Sequence, residues 1–120
     1  MPKRRELHLE VPNDDRAPSR VRHALGEQFA ELGEALPVLG VVASEMVTNA
    51  VLHGAPPIRV DAFPIGAGVR VQVHDERRDI GAPKAESRGL RLIDALAADW
   101  GVAYTEAGKC FWADVARPTV

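Results

Sequence analysis

From Leu36 to Leu52 the chain is nearly all apolar, and this run constrains the fold more than any other segment. Pro37 suits the first turn of a helix, where a missing N–H loses no intrahelical bond. Gly54-Ala55-Pro56-Pro57 forbids continuation past about His53. The expected helix is bounded at both ends, and the other elements are read around it. Upstream, Glu6 to Val11 alternates with period two, which predicts a strand with Leu7, Leu9 and Val11 on its covered face. Pro12-Asn13-Asp14-Asp15 breaks that strand. From Ser19 as a candidate N-cap, Val21, Ala24, Leu25, Gln28, Phe29 and Leu32 recur at helical spacing, and Gly33 supplies a stop.

Downstream, Ile58 to Phe63 and Val69 to Asp75 read as two strands joined by Pro64-Ile65-Gly66-Ala67-Gly68, a connection of hairpin length. Glu76 to Glu86 has no apolar periodicity and contains Gly81 and Pro83, so an exposed loop is expected there. A third helix opens near Ser87 with Leu90, Ile93, Ala97 and Leu96 as its inward candidates. Trp100 to Thr105 and Lys109 to Val115 then form a last strand pair around Glu106-Ala107-Gly108. The order β-α-α-β-β-loop-α-β-β fits an α+β fold: a two-layer α/β sandwich, with a mixed, mainly antiparallel sheet covered on one face by helices.

With 120 residues and no abrupt shift in composition, residues 1–120 are read as a single domain. A net charge of -2 offers no global attraction for a polyanion, and Lys3-Arg4-Arg5 is too short a basic stretch to indicate nucleic-acid binding. The start lacks the apolar run of a signal peptide, and no 18-residue apolar segment able to span a membrane is expected, which points to a cytoplasmic location. Cys110 is the only cysteine, which excludes an internal disulfide and a cysteine-based zinc cage.

Within the apolar helix, Glu45 and Asn49 stand four residues apart and so share one face. Such a pair is often only the solvated side of an amphipathic helix. An asparagine near the end of an otherwise apolar helix, however, brings an amide that demands partners. His53 follows one turn later, where its charge would favour the helix C-terminus or touch a ligand. Val69, Val71, Val73 and Asp75 share a strand face opposite Arg70, Gln72 and His74, which aims a carboxylate at the covered side. There it needs a donor, unless the strand frays at His74 and Asp75 merely enters the loop. Ser87-Arg88-Gly89-Leu90 places a glycine at a helix N-terminus, a natural anion site and also a common way for a helix to begin.

Taken together, these segments resemble the histidine-kinase-like ATPase fold, and most closely its anti-sigma-factor serine/threonine kinase branch. The run Val42-Ala43-Ser44-Glu45-Met46-Val47-Thr48-Asn49-Ala50-Val51-Leu52-His53-Gly54 is similar to that branch's asparagine box, and the resemblance extends from Glu6 to Val115. It implies that Asn49 coordinates the Mg2+ bridging the ATP phosphates, that Asp75 accepts a hydrogen bond from the adenine amino group, and that Glu45 is the general base. It further implies that His53, Arg88, Gly89, Leu90, Lys109 and Cys110 belong to the ATP site, and that residues 76–88 form the ATP lid. The implied partner is a sigma factor or a STAS-type anti-sigma antagonist, with a homodimer by family analogy. Three departures stand out: Glu76-Arg77-Arg78-Asp79 lacks the glycines many relatives carry after the aspartate, Gly89 is alone where Gly-x-Gly-Leu is common, and Cys110 stands where threonine is frequent. A non-catalytic nucleotide-binding or sequestering module, and a plain α+β domain, are the competing readings.

Overall fold

Period-two alternation of apolar and polar residues gives five strands: β1 (Leu7–Val11), β2 (Ile58–Ile65), β3 (Gly68–Asp75), β4 (Asp99–Thr105) and β5 (Gly108–Ala116). They form one sheet in the order β1-β2-β3-β5-β4 in a computed structural model that describes residues 6–77 and 88–117. Every pairing is antiparallel, so the parallel component expected from the sequence is absent among the described residues. Most of the expected lid lies outside the described residues, which stop at Arg77 and resume at Arg88.

Three helices, α1 (Ala17–Gln28), α2 (Ala35–His53) and α3 (Arg88–Leu96), cover one face of the sheet. Ala35, Leu39, Val42, Ala43, Met46, Val47 and Ala50 recur at three- and four-residue spacing along α2, and all are buried. Full burial of a Val, Leu or Met side chain contributes roughly 1.5–3 kcal/mol. This stripe therefore holds α2 to the sheet far more firmly than anything at its ends. Its facing residues include Ile58, Val60, Val71, Val73, Phe111 and Ala113, each at most 1% exposed.

α2 also corrects the reading that no segment is long and apolar enough to span a membrane: its 19 residues pass that test on length and hydropathy. The reason is packing. The helix has the sheet beneath it and α1 and α3 on its flanks, so apolar residues are needed over much of its circumference.

Local corrections have local causes. α1 starts at Ala17 rather than at Ser19, because Pro18 fits its first turn and Asp14 accepts the backbone N–H of Arg16 at 2.9 Å. It ends at Gln28, and a 3-10 turn (Ala30–Leu32) carries Leu32 back to the core before Gly33 reverses the chain at φ 58°. The β2–β3 turn is shorter than expected. Pro64 and Ile65 remain in β2, where Pro64 lies beyond the last β1 partner, Ala62, so that β2 is locally an edge and tolerates a residue without an N–H. In α3, Leu90 and Ile93 are buried, whereas Leu96 is 38% exposed and not part of the core.

The other sheet face is largely polar, and no helix among the described residues covers it. Arg70 and Asp114, directly opposite on β3 and β5, form a two-pronged ion pair at 2.7 and 2.9 Å, with the guanidinium 4.5 Å from the centre of the Trp112 ring system. Asp61 accepts from His8 and His74 on the neighbouring strands.

At the β4–β5 turn, Gly108 adopts φ 136°, and a Cβ there would run into the carbonyl oxygen of Asp75. Gly108→Ala is expected to lower stability by about 1–3 kcal/mol, read as a shift of the urea midpoint by circular dichroism. A parent-like midpoint would show that the β3–β5 register at Asp75 is not as described.

Candidate functional site

The C-terminal half of α2 presents Glu45, Thr48, Asn49, Leu52 and His53 toward the start of α3, where Gly89, Leu90 and Ile93 complete the lining of a cavity of about 200 Å³. Helical geometry alone accounts for this face, since 45, 48, 49, 52 and 53 fall one turn apart. Thr48 and Leu52 were not singled out from the sequence, although the same spacing that paired Glu45 with Asn49 reaches both. The Thr48 hydroxyl is turned back on the helix, donating to the Ser44 carbonyl at 2.8 Å. Gly89 lies against Glu45: a Cβ at that position would be 2.9 Å from Oε2, the movable end of that side chain. The side chain of Arg88 lies outside the described residues.

A second set of residues closes the other end of the site. Asp75 ends β3 on the helix-covered face and is only 3% exposed. Its Oδ1 accepts the backbone N–H of Arg77 at 2.8 Å and, more weakly, that of Ala55 at 3.4 Å. Two further bonds tie the same segments together: Glu76 N–H to the Ala55 carbonyl at 2.8 Å, and the Arg77 guanidinium to the His53 carbonyl at 2.6 Å. A cation thus meets the last carbonyls of α2, where the helix dipole favours positive charge. Asp75 Oδ2 is buried and accepts no hydrogen bond from the described residues. Gly54 lies directly over it; a Cβ there would be 2.6 Å from both Asp75 Oδ2 and the Ala50 carbonyl.

Lys109 links the two ends. It pairs with Asp75 across the β3–β5 ladder, and its side chain is 5% exposed. Its ammonium donates to Asn49 Oδ1 at 3.0 Å and lies 4.0 Å from Asp75 Oδ2. Asn49 and Asp75, which the resemblance assigns to opposite ends of one nucleotide, line separate cavities, the second of about 360 Å³ with Asp75, Lys109 and Gly108 in its wall. The lysine stands between them.

The structure brings Glu45, Asn49, Gly89, Leu90, Asp75 and Lys109 together on the covered side of the sheet. His53 is exposed at the rim. Strand parity turns Cys110 to the opposite face, across from His74, with Lys109 beside Asp75 on the covered face, yet at this end of the sheet Cys110 lines the same cavity as Asp75 and Lys109. The Cys110 thiol is half-buried, and burial pushes its pKa up, so it remains a neutral thiol near neutral pH.

An orphaned, buried carboxylate oxygen beneath a glycine fits a ligand that brings an N–H donor, as an adenine amino group does. A magnesium ion at Asn49 does not fit this arrangement, because the amide oxygen that would hold it already accepts from an ammonium.

A five-stranded antiparallel sheet with three helices on one face, and an asparagine-bearing helix set over a strand that ends in a buried aspartate, is the histidine-kinase-like ATPase fold. The structure is similar to that of the RsbU and RsbW domains of Rv1364c from Mycobacterium tuberculosis, with a TM-score of 0.72 and 27% sequence identity over 94% of this chain and 33% of that one. It also resembles the histidine kinase domain of a blue-light activated histidine kinase from Erythrobacter litoralis, with a TM-score of 0.56 and 19% identity over 84% of this chain and 59% of that one. The second likeness speaks for the fold alone. This chain spans one third of the first relative and less than two thirds of the second. No family model and no curated protein matches the sequence.

The Gly54 contact gives a direct check on the site. Gly54→Ala is expected to destabilise the protein by about 1–3 kcal/mol, because the Ala50 carbonyl belongs to the helix backbone and cannot swing aside. Chemical denaturation measures this, and an unchanged midpoint would mean that Asp75 does not sit beneath Gly54.

Proposed function

We propose that this chain is an ATP-binding regulatory domain that acts in the cytoplasm as a serine/threonine kinase of the anti-sigma-factor type, with a STAS-type antagonist as its protein substrate. What carries the reading is the buried Asp75 Oδ2, an acceptor without a donor among the described residues, in a fold shared with an RsbW-containing protein. Asp75 would receive the adenine amino group. Gly89 and the backbone N–H groups opening α3 would face phosphate.

Glu45 supplies the chemistry. It lies against Gly89 at the start of α3, next to where the phosphates would be held. As an acceptor hydroxyl oxygen bonds to the γ-phosphorus and the bond to the ADP oxygen breaks, the hydroxyl proton passes to the Glu45 carboxylate. Asn49 is the metal ligand on the family pattern. Its engagement with Lys109 leaves no metal-dependent step to derive, and the proposal rests on the roles of Glu45, Gly89 and Asp75.

The non-catalytic reading has one observation in its favour: Lys109 divides the cleft between Asn49 and Asp75. Two variants separate these readings. Asp75→Asn keeps an oxygen for the backbone N–H groups and turns an amide donor toward the ligand, so ATP affinity should fall about tenfold or more, the scale of a mismatched buried hydrogen bond. Calorimetric titration measures it, and a parent that binds no ATP at millimolar concentration would sink the proposal. Glu45→Gln should keep ATP affinity within a few-fold while slowing transfer of labelled γ-phosphate to candidate antagonists by roughly 10²-fold or more. Firm ATP binding without transfer by the parent would favour the sequestering module.

A further inference from the structure

We propose that Lys109 is the resident cation of the nucleotide site, taking the place of a divalent metal at Asn49, so that ATP binds here without magnesium. The inference rests on the nucleotide-site reading and adds what that reading lacks, the identity of the group that balances phosphate charge.

The geometry begins with strand parity. Phe111, Ala113 and Val115 commit alternate residues of β5 to the helix-covered face, so Lys109 must lie on that face too. With its side chain 5% exposed, the ammonium has been withdrawn from water and is held at 3.0 Å from Asn49 Oδ1. Asp75 Oδ2 is 4.0 Å away, and the Phe111 ring centre is 6.0 Å away, at the outer limit of a cation–π contact. A magnesium ion binds its oxygen ligands at about 2.1 Å. Placed on Asn49 Oδ1, it would set a double positive charge against the ammonium that already uses that oxygen, in surroundings that screen charge poorly. The two cations exclude each other.

Displacing Lys109 would not resolve the conflict, because its departure would take away the cation that the described residues place near the buried Asp75 Oδ2 and the donor they give Asn49 Oδ1. Retained, it puts one fixed positive charge between the end of the site that fits adenine and the end that opens on Glu45 and Gly89. There it can face the phosphates as their counter-charge, the role an ammonium fills in other phosphate sites. Among the described residues no cluster of three or more His, Cys, Asp or Glu offers a second metal position.

The test compares the parent with Lys109→Met, which keeps length without charge, and Lys109→Thr, which removes the side chain. Circular dichroism confirms that each variant is folded. ATP binding is titrated in EDTA and in excess magnesium. The parent should bind with affinities within about threefold of each other in the two buffers, and the folded variant or variants should bind about tenfold or more tightly with magnesium than in EDTA, because the ion must then supply the charge. A parent that loses tenfold or more in EDTA overturns the proposal while leaving the nucleotide site intact. Binding by the variants with none by the parent also overturns it, and identifies Lys109 as a plug. If no form binds ATP in either buffer, the nucleotide reading itself falls and takes this inference with it.

Discussion

A single buried carboxylate sets the geometry of the cleft. Asp75 holds the chain leaving α2 through the Ala55 N–H and the chain leaving β3 through the Arg77 N–H, both on Oδ1. Those bonds, with the Arg77 guanidinium on the His53 carbonyl, lock the C-terminus of α2 to the end of the central strand. Asn49 lies one turn before that lock, and Glu45 one turn earlier still. Their positions over the sheet are therefore fixed by hydrogen bonds at one end and by the apolar stripe of α2 along its length. Gly54 permits this arrangement, since any side chain there would strike the carboxylate or the helix backbone.

The two faces of the sheet divide the polar residues of β3 and β5 into different roles. On the open face, Arg70, Asp114 and Trp112 make a directly paired, partly solvated cluster. On the covered face, the same alternation that buries Phe111 and Ala113 carries Lys109 and Asp75 into the interior. A slip of one residue in β5 would exchange Lys109 for Cys110 and expose Phe111. The hydrophobic core thus fixes which residue enters the site, and the lysine is there because the register allows no alternative.

Much of this was legible in the sequence, for physical reasons that vary by element. The strands and α2 announce themselves through periodicity, and the burial of Asp75 follows from parity along β3. The pairing of Glu45 with Asn49 follows from helical spacing alone. What was not legible depends on contacts distant in sequence. The start of α1 at Ala17, two residues before Ser19, depends on Pro18 in the first turn and on the Arg16 N–H bound to Asp14, which the spacing of apolar residues does not reveal. Lys109 and Cys110 both enter the expected site through the resemblance, and only parity counted from Phe111 tells them apart, turning Lys109 to the covered face and Cys110 to the other while both line the cavity at Asp75. That Lys109 reaches Asn49 across 60 positions of sequence required the fold.

The Lys109–Asp75 pair is poorly suited to holding the fold together, and that mismatch bears on what the cleft is for. Desolvating two charges is costly, and the cost is recovered only when geometry is close and the remaining donors and acceptors are satisfied. Here the charges are 4.0 Å apart and Oδ2 accepts no hydrogen bond from the described residues. The Arg70–Asp114 pair on the open face, at 2.7 Å and two-pronged, shows the geometry this same sheet provides when an ion pair is fully made. An apolar pair at positions 75 and 109 would continue the core of Val73 and Phe111 without that cost. A buried acid left with bonding capacity, beside a base shared with an amide, has the polarity of a site that is completed by a ligand, and the adenine donor and phosphate charge of the proposed nucleotide are the two groups that would complete it.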